Sequence, residues 1–261
     1  MSRKKSTTSR KMLNDELTFW DHLDVLRSSI IRTIIAFAII TVGLFPFKSL
    51  LFDVVLAPTK SDFWLYESIG ADFSLTLVNI EVTAQFLIHM KMTLLCAAVL
   101  TFPYFVMQVW QFIKPALYAN EKKPLRKAFL LSSVLFYLGV ALSYLIIIPV
   151  MLNFFAGYQV SSEIPNTFSL SSYISLFTSM ALTFGIIFEL PTLTVLLSNL
   201  GILHKETMKQ YRRHAICVVV ILAAVITPSG DPFSLAIVAL PIYILYEFSV
   251  LLCKSRHESQ A

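Results

Sequence analysis

Glu121 is the acidic residue of this chain whose surroundings most suggest binding chemistry. It follows an apolar run and a proline-containing loop, and it stands directly before two lysines. Trp110 and Phe112 lie near the end of that run and would form an apolar wall at the same membrane depth. A carboxylate beside aromatic side chains suits a guanidinium group. The pattern favours recognition of a cationic ligand, although a single acid in a basic loop is also commonly an ordinary surface charge.

Glu189 is a second notable acid, because it lies inside an apolar stretch long enough to span a membrane. An ionised carboxylate at that depth is costly unless it is paired or hydrated. Thr183, Thr192 and Thr194 lie on the same predicted helix and could supply polar contacts. Glu189 is either a protonated side chain that bonds to a neighbouring helix or a docking or proton-linked site. The rarity of acids inside membranes favours the second interpretation.

Two further acids, Asp21 and Asp24, precede the first apolar run, on the same predicted side of the membrane as Glu121. They could form a second acidic face for the same cationic ligand. Acids at the start of a helix also stabilise it by interacting with the positive end of its dipole. The residues alone leave both interpretations open.

The sequence contains no pattern typical of a catalytic or cofactor site. It has no HExxH or GxSxG motif, no phosphate-binding glycine loop and no histidine cluster. Cys96, Cys217 and Cys253 lie in or beside apolar runs without CxxC spacing, as expected of small packing residues. We therefore expect neither an enzyme nor a bound metal or cofactor.

These side chains must be positioned by membrane helices. Of the 261 residues, 56% are hydrophobic and only 14% are charged, and the apolar residues form long runs. An all-α integral membrane protein with six transmembrane helices is the most economical interpretation, since about 20 apolar residues cross the hydrocarbon core. The predicted helices cover residues 28–51, 84–109, 126–152, 170–198, 215–226 and 234–253. We expect the last two to be short, with Pro241 interrupting the sixth, and to thin the lipid locally.

The distribution of positive charge predicts the topology. All but Lys48, Lys60 and Lys91 of the 21 Lys and Arg residues precede the first apolar run, which begins after Arg32, flank alternate connections or follow the last span. The positive-inside rule then puts both termini in the cytoplasm. The net charge of +5 thus indicates topology and contact with the anionic headgroups of the bilayer, and it does not indicate a nucleic-acid partner.

This topology divides the chain into three parts. Residues 1–27 form a cytoplasmic segment, which lacks the apolar core and cleavage site of a secretory signal peptide. Residues 28–253 form the membrane domain, with a cap loop at 52–83 on the outer side, and residues 254–261 form a cytoplasmic tail. The cap loop carries too many apolar residues for a solvated tether, so we expect it to be ordered.

Six motifs, spread over most of the chain, resemble those of the TatC family of the twin-arginine protein translocase. They are HLDVLR (22–27), LAP (56–58), YFVMQVWQFIKPALYANEKK (104–123), FGIIFELP (184–191), TPSGDPFS (227–234) and LPIYILYE (240–247). The resemblance implies a cup-shaped bundle of six helices in a bacterial inner membrane. It also implies a complex of single-span TatA and TatB subunits with more than one copy of this chain. That complex would export folded proteins at the expense of the proton-motive force.

The resemblance also implies roles for individual residues. Glu121 would receive the paired arginines of a signal peptide, with Phe112 as the nearby apolar wall. Glu189, together with Thr192, would form the intramembrane polar site that contacts the single-span subunits. Pro228 and Asp231 would belong to the outer hairpin between the last two helices.

The chain departs from the family pattern at two places. The N-terminal motif usually carries an acid where this chain has Val25, so either Asp24 or Asp21 would have to take over its part in arginine recognition. The outer hairpin reads TPSGD, one residue longer than the commoner TPPD, which leaves the register of Asp231 open.

Two other functional classes are compatible with a polytopic membrane protein. A proton-coupled transporter of small solutes would use Glu189 as its proton carrier, but the spans offer few polar partners besides Gln85, Gln108 and Gln111. No inverted pair of broken helices is visible, which further weakens this alternative. A structural scaffold would leave Glu121 without a role.

Overall fold

The computed structural model describes residues 19–70, 73–113, 122–161, 163, 166–227 and 230–253. Within them the chain is mostly helical, which confirms the predicted all-α class. The helices are α1 (Phe19–Leu44), α2 (Lys48–Leu56), α3 (Trp64–Ile69), α4 (Ala84–Ile113), α5 (Lys122–Leu142), α6 (Ile148–Gly157), α7 (Leu170–Ile187), α8 (Leu190–Asn199), α9 (Lys205–Gln210), α10 (Arg212–Ile226) and α11 (Pro232–Leu252). Two short strands accompany them, β1 (Leu77–Val78) and β2 (Phe168–Ser169).

Five helical segments of the described chain are long and apolar enough to cross a membrane. They are Leu23–Leu44, Ala84–Ile113, Phe129–Gly157, Leu170–Asn199 and Pro232–Leu252. The fifth predicted span corresponds to α10, whose 15 residues rise only about 22 Å. By contrast, α11 is a continuous helix of 21 residues. Pro241 lies inside it and does not interrupt it, contrary to the prediction. Neighbouring groups can satisfy the backbone acceptor that a proline leaves free in a membrane helix. Of the last two helices, only α10 is short.

The first predicted helix is divided in two. α1 ends at Leu44 instead of residue 51, and α2 begins at Lys48. Pro46 lies in the break and has no N–H with which to continue the helical hydrogen bonds. The N–H of Phe45 makes the last of these bonds, to the carbonyl oxygen of Thr41. The chain therefore leaves the span here and continues through α2 into the cap loop.

Prolines also reshape the third and fourth predicted spans. A π-helical turn, Ser143–Ile147, joins α5 to α6 and is followed by Pro149. α7 and α8 are separated at residues 188–189, and Pro191 lies in the first turn of α8. Each irregularity falls where a backbone donor is missing. The fourth span, predicted as one helix over residues 170–198, is therefore broken at Glu189.

Tyrosine hydroxyl groups attach the cap loop to the helices behind it. They donate to backbone carbonyl oxygens as follows: Tyr66 to Pro58 (2.9 Å) and Pro149 (3.3 Å), Tyr144 to Val54 (2.8 Å), and Tyr173 to Val55. Two of these acceptors, Val54 and Val55, lie near the end of α2, and Pro58 lies in the 3₁₀ turn that directly follows that helix. Burial raises the pKa of Tyr66, so this hydroxyl group keeps the proton that it donates.

The two short strands join the cap loop to the connection between α6 and α7. β1 pairs with β2 in parallel, with Leu77 opposite Phe168 and Val78 opposite Ser169. Both connections therefore lie at one end of the molecule, which we call the cap end. We call the opposite end, where α1 begins and α11 finishes, the terminal end.

The largest group of buried apolar side chains lies beneath the cap loop, and among its fully buried members are Tyr66, Met92, Ile148, Met151, Ile174 and Phe184. Around it, α1 packs against α4, α4 against α5 and α7, α5 against α7 and α8, α8 against α11, and α11 against α10. α1 and α10 carry many exposed isoleucine, leucine and valine side chains. Such surfaces are stable when lipid tails or other apolar helices cover them.

Candidate functional site

A groove runs between α1 and α4 near the terminal end. Its volume is about 170 Å³, and Phe112 is one of the side chains that line it. Leu26 of α1 lines the same groove. The start of α1 and the end of α4 therefore meet, although the two residues are far apart in the sequence.

The predicted acids of the cationic-ligand site are placed only in part. Asp24 is exposed on α1, two residues before Leu26, and therefore lies at the same end of the molecule as Phe112. Asp21 belongs to α1, but its side chain lies outside the described part of the structure. Glu121 lies outside the described residues. The structure thus brings Asp24 and Phe112 to one end.

The last turns of α4 lie beside the first turns of α5. The rings of Trp110 and Phe129 are 5.2 Å apart between centroids, and both side chains are at least half-buried. The end of α4 and the start of α5 are therefore neighbours at the terminal end. Trp110, which the sequence interpretation assigned to an apolar wall, packs between these helices.

Glu189 occupies the break between α7 and α8. Its N–H donates to the carbonyl oxygen of Ile186, and its own carbonyl oxygen accepts from the N–H of Leu193, so the backbone on both sides is fixed. α8 has ten residues, which places Glu189 about 15 Å from the terminal end of the span. Along the span Leu170–Asn199, Glu189 is therefore nearer the terminal end than the cap end.

Ser132 of α5 holds one side of the Glu189 carboxylate. Its hydroxyl group donates to Glu189 Oε2 over 2.6 Å, and Ser132 itself is buried. The second oxygen, Oε1, is buried and has no hydrogen-bond partner among the described residues. A buried acceptor without a donor costs about 1–3 kcal/mol. The carboxylate is therefore oriented by the protein but only half satisfied by it.

Thr192 lies one turn beyond Glu189 and is buried close to the same carboxylate. Within the described chain, its Oγ1 also lacks a partner at hydrogen-bond distance. Thr194, in contrast, donates to the carbonyl oxygen of Pro191 over 2.9 Å. Of the predicted threonines, Thr192 is therefore the one that lies beside the acid.

Two glycines allow α5 and α7 to approach closely beside this acid. A methyl group added to Gly139 would lie 2.4 Å from the carbonyl oxygen of Phe184, and one added to Gly185 would lie 2.7 Å from the ring of Phe136. Gly139 is two turns along α5 from Ser132. The close approach of the helices fixes the distance across which Ser132 reaches Glu189.

Asp231 has a local structural role in the outer hairpin. It precedes α11 and accepts a hydrogen bond at Oδ2 from the N–H of Ser234 over 2.8 Å. Pro232 occupies the first turn, where its missing N–H is not needed. Asp231 is thus the N-cap of α11, at the opposite end from Asp24 and Phe112. Pro228 lies outside the described residues.

A polar contact that sequence reasoning did not assign joins α10 to α11 near the terminal end. Arg212 donates to Glu247 Oε2 over 2.6 Å, and Tyr243 donates to Oε1 over 3.1 Å. Glu247 was visible as an acid in the last span, but its partner lies 35 residues earlier, in a basic loop with several possible donors. No feature of the sequence distinguishes Arg212 from those other donors.

Comparisons with known proteins agree on one family. The family model described as TatC, a Sec-independent protein translocase protein, matches residues 21–241. A TatC from Blattabacterium sp. subsp. Periplaneta americana is 35% identical over 252 residues, covering 90% of this chain and 94% of the relative. A TatC from Deinococcus radiodurans is 32% identical over 235 residues, covering 90% and 85%. A crystal structure of a twin-arginine translocase receptor, TatC, superimposes with a TM-score of 0.74 at 30% identity, covering 88% of this chain and 97% of that one.

Proposed function

Because this chain belongs to the TatC family of Sec-independent protein translocase subunits, we propose that it binds the paired arginines of signal peptides through Glu121. In this proposal it is the receptor to which folded cargo is delivered. It then assembles with single-span TatA-type and TatB-type subunits, with more than one copy of itself in the complex.

The observation that carries this proposal is the meeting of α1 and α4 at the terminal end. Leu26 and Phe112 line one groove there, Asp24 is exposed nearby, and Glu121 follows within eight residues of the end of α4. An arginine bound at this end would find the carboxylate of Asp24 and the ring of Phe112 on helices that pack together.

The chemistry suits a guanidinium group better than an ammonium group. A carboxylate accepts two parallel hydrogen bonds from arginine, whereas lysine offers a compact point charge. The aromatic ring of Phe112 adds a surface against which a flat, weakly hydrated cation can stack. Asp24 or Asp21 supplies the second acid, in the place where the family pattern has one and this chain has Val25.

We assign Glu189 and Thr192 to contact with the single-span subunits. Glu189 Oε1 and Thr192 Oγ1 are buried polar atoms without partners among the described residues. A helix that docks from the lipid with a polar side chain at this depth would satisfy them. The family's mode of action further implies export driven by the proton-motive force across a bacterial inner membrane, with both termini in the cytoplasm.

Photocrosslinking to a signal peptide tests the Glu121 assignment. A photoreactive residue placed beside Glu121 should label a peptide that carries Arg-Arg and should fail to label the same peptide with Lys-Lys. Glu121→Gln should abolish the Arg-Arg adduct, because the side chain loses the negative charge that binds the guanidinium groups. The substitution keeps the shape of the side chain, so the loss reports on charge alone.

Glu206→Gln is the matched control for this experiment. Glu206 is an exposed acid in α9, at the terminal end but outside the proposed site. This variant should retain the arginine-dependent adduct. Equal labelling of both peptides by the unaltered protein, or an adduct that persists in Glu121→Gln, would contradict the proposed function.

A further inference from the structure

Lys91 is a charged residue within a helix that is long and apolar enough to cross a membrane. It lies seven residues after the start of α4, which places it about 10 Å from the cap end of that helix. Lys91 is exposed, and so are Leu87 and Leu94, one turn to either side of it on α4. The charge therefore lies on a membrane-facing surface, where it is costly unless an anion or water compensates it.

Ser175 of α7 is the hydrogen-bond partner of Lys91 in the described chain. Lys91 Nζ donates to Ser175 Oγ over 3.3 Å. An ammonium group has three hydrogens to donate, and a serine hydroxyl group brings no negative charge. No carboxylate of the described residues forms a salt bridge with Lys91. The described chain thus orients the ammonium group without supplying its counterion.

The short helix α10 lowers the membrane boundary on this side of α7. Ser175 lies five residues after the start of α7, about 8 Å from its cap end. One turn further along, Ser179 donates to the carbonyl oxygen of Ile226 over 3.4 Å. Ile226 is the last residue of α10, so that helix ends only about 6 Å deeper than Ser175. The polar sequence TPSGD follows directly and requires water or headgroups at that level.

The directions of the two side chains bring them to the same boundary. Side chains on a helix lean towards its N-terminus, and both α4 and α7 begin at the cap end. Lys91 and Ser175 therefore lean towards the nearer membrane surface. A lysine stem also lets its ammonium group reach towards headgroups while its methylene groups stay among lipid tails.

We propose that Lys91 and Ser175 bind the phosphate group of a phospholipid from the leaflet at the cap end, and that they hold this headgroup below the level of its neighbours. The phosphate supplies the negative charge, and its oxygens accept from Lys91 Nζ and from the hydroxyl group of Ser175. The acyl chains then run past Leu94, which is exposed one turn deeper. This site is separate from Glu121 and Glu189, so its occupation does not depend on the proposed function.

A phosphate group fits this place better than an acid on a membrane partner does. A carboxylate at this depth would itself have to be carried into the apolar part of the membrane by the partner's helix, at a further cost. A phosphate stays attached to the headgroup layer and reaches Lys91 from above. It is also present wherever a phospholipid covers the exposed face of α4.

Native mass spectrometry tests the site with the full-length protein in detergent. The protein is stripped of lipid and titrated with phosphatidylglycerol or with a glucosyl diacylglycerol of the same acyl chains, which has a polar headgroup without phosphate. The unaltered protein should retain one phosphatidylglycerol molecule more tightly than the glucosyl lipid. Lys91→Gln should weaken binding of that molecule about tenfold, the effect of losing one charge-assisted hydrogen bond.

Two variants separate the role of the charge from general effects of substitution. Lys60→Gln is the matched control, because it makes the same change at an exposed lysine of the cap loop. It should leave the tightly held phosphatidylglycerol in place. Lys91→Arg keeps the positive charge and should retain the lipid, since a guanidinium group also binds phosphate.

A spin label tests whether the headgroup is held at depth. In a variant lacking the three native cysteines, the label is attached to Leu94→Cys and the protein is placed in phosphatidylglycerol bilayers. Collisions with a water-soluble nickel chelate should be more frequent with Lys91 present than in the Lys91→Gln background, because the lowered headgroup brings water closer to the label. Lys60→Gln should leave the collision rate unchanged.

Three results would overturn the proposal. The first is equal retention of phosphatidylglycerol by Lys91→Gln and Lys60→Gln, and the second is equal binding of the glucosyl lipid by the unaltered protein. The third is a single-span subunit whose retention depends on Lys91 while phosphatidylglycerol binding does not. That result would assign the counterion to an acidic side chain of the subunit.

Discussion

A single oriented carboxylate is the central feature of the fourth span. Glu189 lies where Pro191 interrupts the helix, and Ser132 fixes one of its oxygens. The other oxygen remains available in the described chain. An acid held in this way presents one acceptor in a defined direction, which is what a docking partner needs. A freely rotating acid in a water-filled cavity would suit a proton carrier better.

Ser132→Ala tests whether this orientation contributes to stability. The change removes a short hydrogen bond to a buried carboxyl group, and we expect a loss of about 1–3 kcal/mol in the free energy of unfolding. The measurement is reversible unfolding in detergent. Ser133→Ala, at the half-buried neighbouring serine, is the control and should change stability by less than about 0.5 kcal/mol.

A double-mutant cycle separates the hydrogen bond from other effects of losing the hydroxyl group. In a Glu189→Leu background, Ser132→Ala should cost much less than in the unaltered protein, because the acceptor is gone. Equal costs in the two backgrounds would show that Ser132 contributes to stability without orienting Glu189.

The sequence predicts these two residues to different degrees. Glu189 is conspicuous because acids are rare inside membrane spans. Ser132 is one of two adjacent serines in an apolar run, 57 residues earlier, and serine is common in membrane helices. Only the approach of α5 to α7 identifies it, and that distance depends on three-dimensional contacts that no local pattern encodes.

At the scale of elements, helix composition is easier to predict than helix continuity. Gly201, which follows α8 closely, has φ of 70°, a left-handed conformation that favours glycine at a helix end. Pro46 and Pro191 break helices that the apolar pattern extended through them, whereas Pro241 leaves α11 continuous. A proline removes the same donor at each place. Whether the helix survives depends on the groups that surround it.

Gly139→Ala tests the close approach of α5 and α7. The added methyl group would lie 2.4 Å from a backbone carbonyl oxygen of α7, which cannot move without displacing the helix. We expect a loss of about 3 kcal/mol in the free energy of unfolding. The substitution should also weaken association with single-span subunits, since it shifts Ser132 relative to Glu189.

Gly43→Ala is the matched control for this helix contact. Gly43 lies in α1, and a methyl group added to it meets nothing within 4 Å. This substitution should be neutral or stabilise the helix by about 0.5–1 kcal/mol. A Gly139→Ala variant as stable as Gly43→Ala would contradict the close approach of α5 and α7.

At the scale of the whole molecule, the two ends have different structures. The cap end is closed by hydrogen bonds from three tyrosines, by the β1–β2 pair and by the largest group of buried side chains. The terminal end carries the open groove, exposed Asp24 and the Arg212–Glu247 pair. A rigid cap that holds the helices at one end leaves the other end free to bind. This division matches a receptor approached from the side of its own termini.

The distribution of charge predicts which end faces the cytoplasm, and chemical labelling can test it. Val82 and Val160 are 99% and 87% exposed in the two cap-end connections, and Ile202 is 67% exposed in a terminal-end loop.

In a variant lacking Cys96, Cys217 and Cys253, single cysteines at these three positions report the side of the membrane. With a membrane-impermeant maleimide on intact spheroplasts, Val82→Cys and Val160→Cys should react, whereas Ile202→Cys should react only after permeabilisation. Because β1 pairs with β2, the two cap-end positions must behave alike. The reverse pattern would place the groove and Glu121 outside the cell, where a cytoplasmic signal peptide could not reach them.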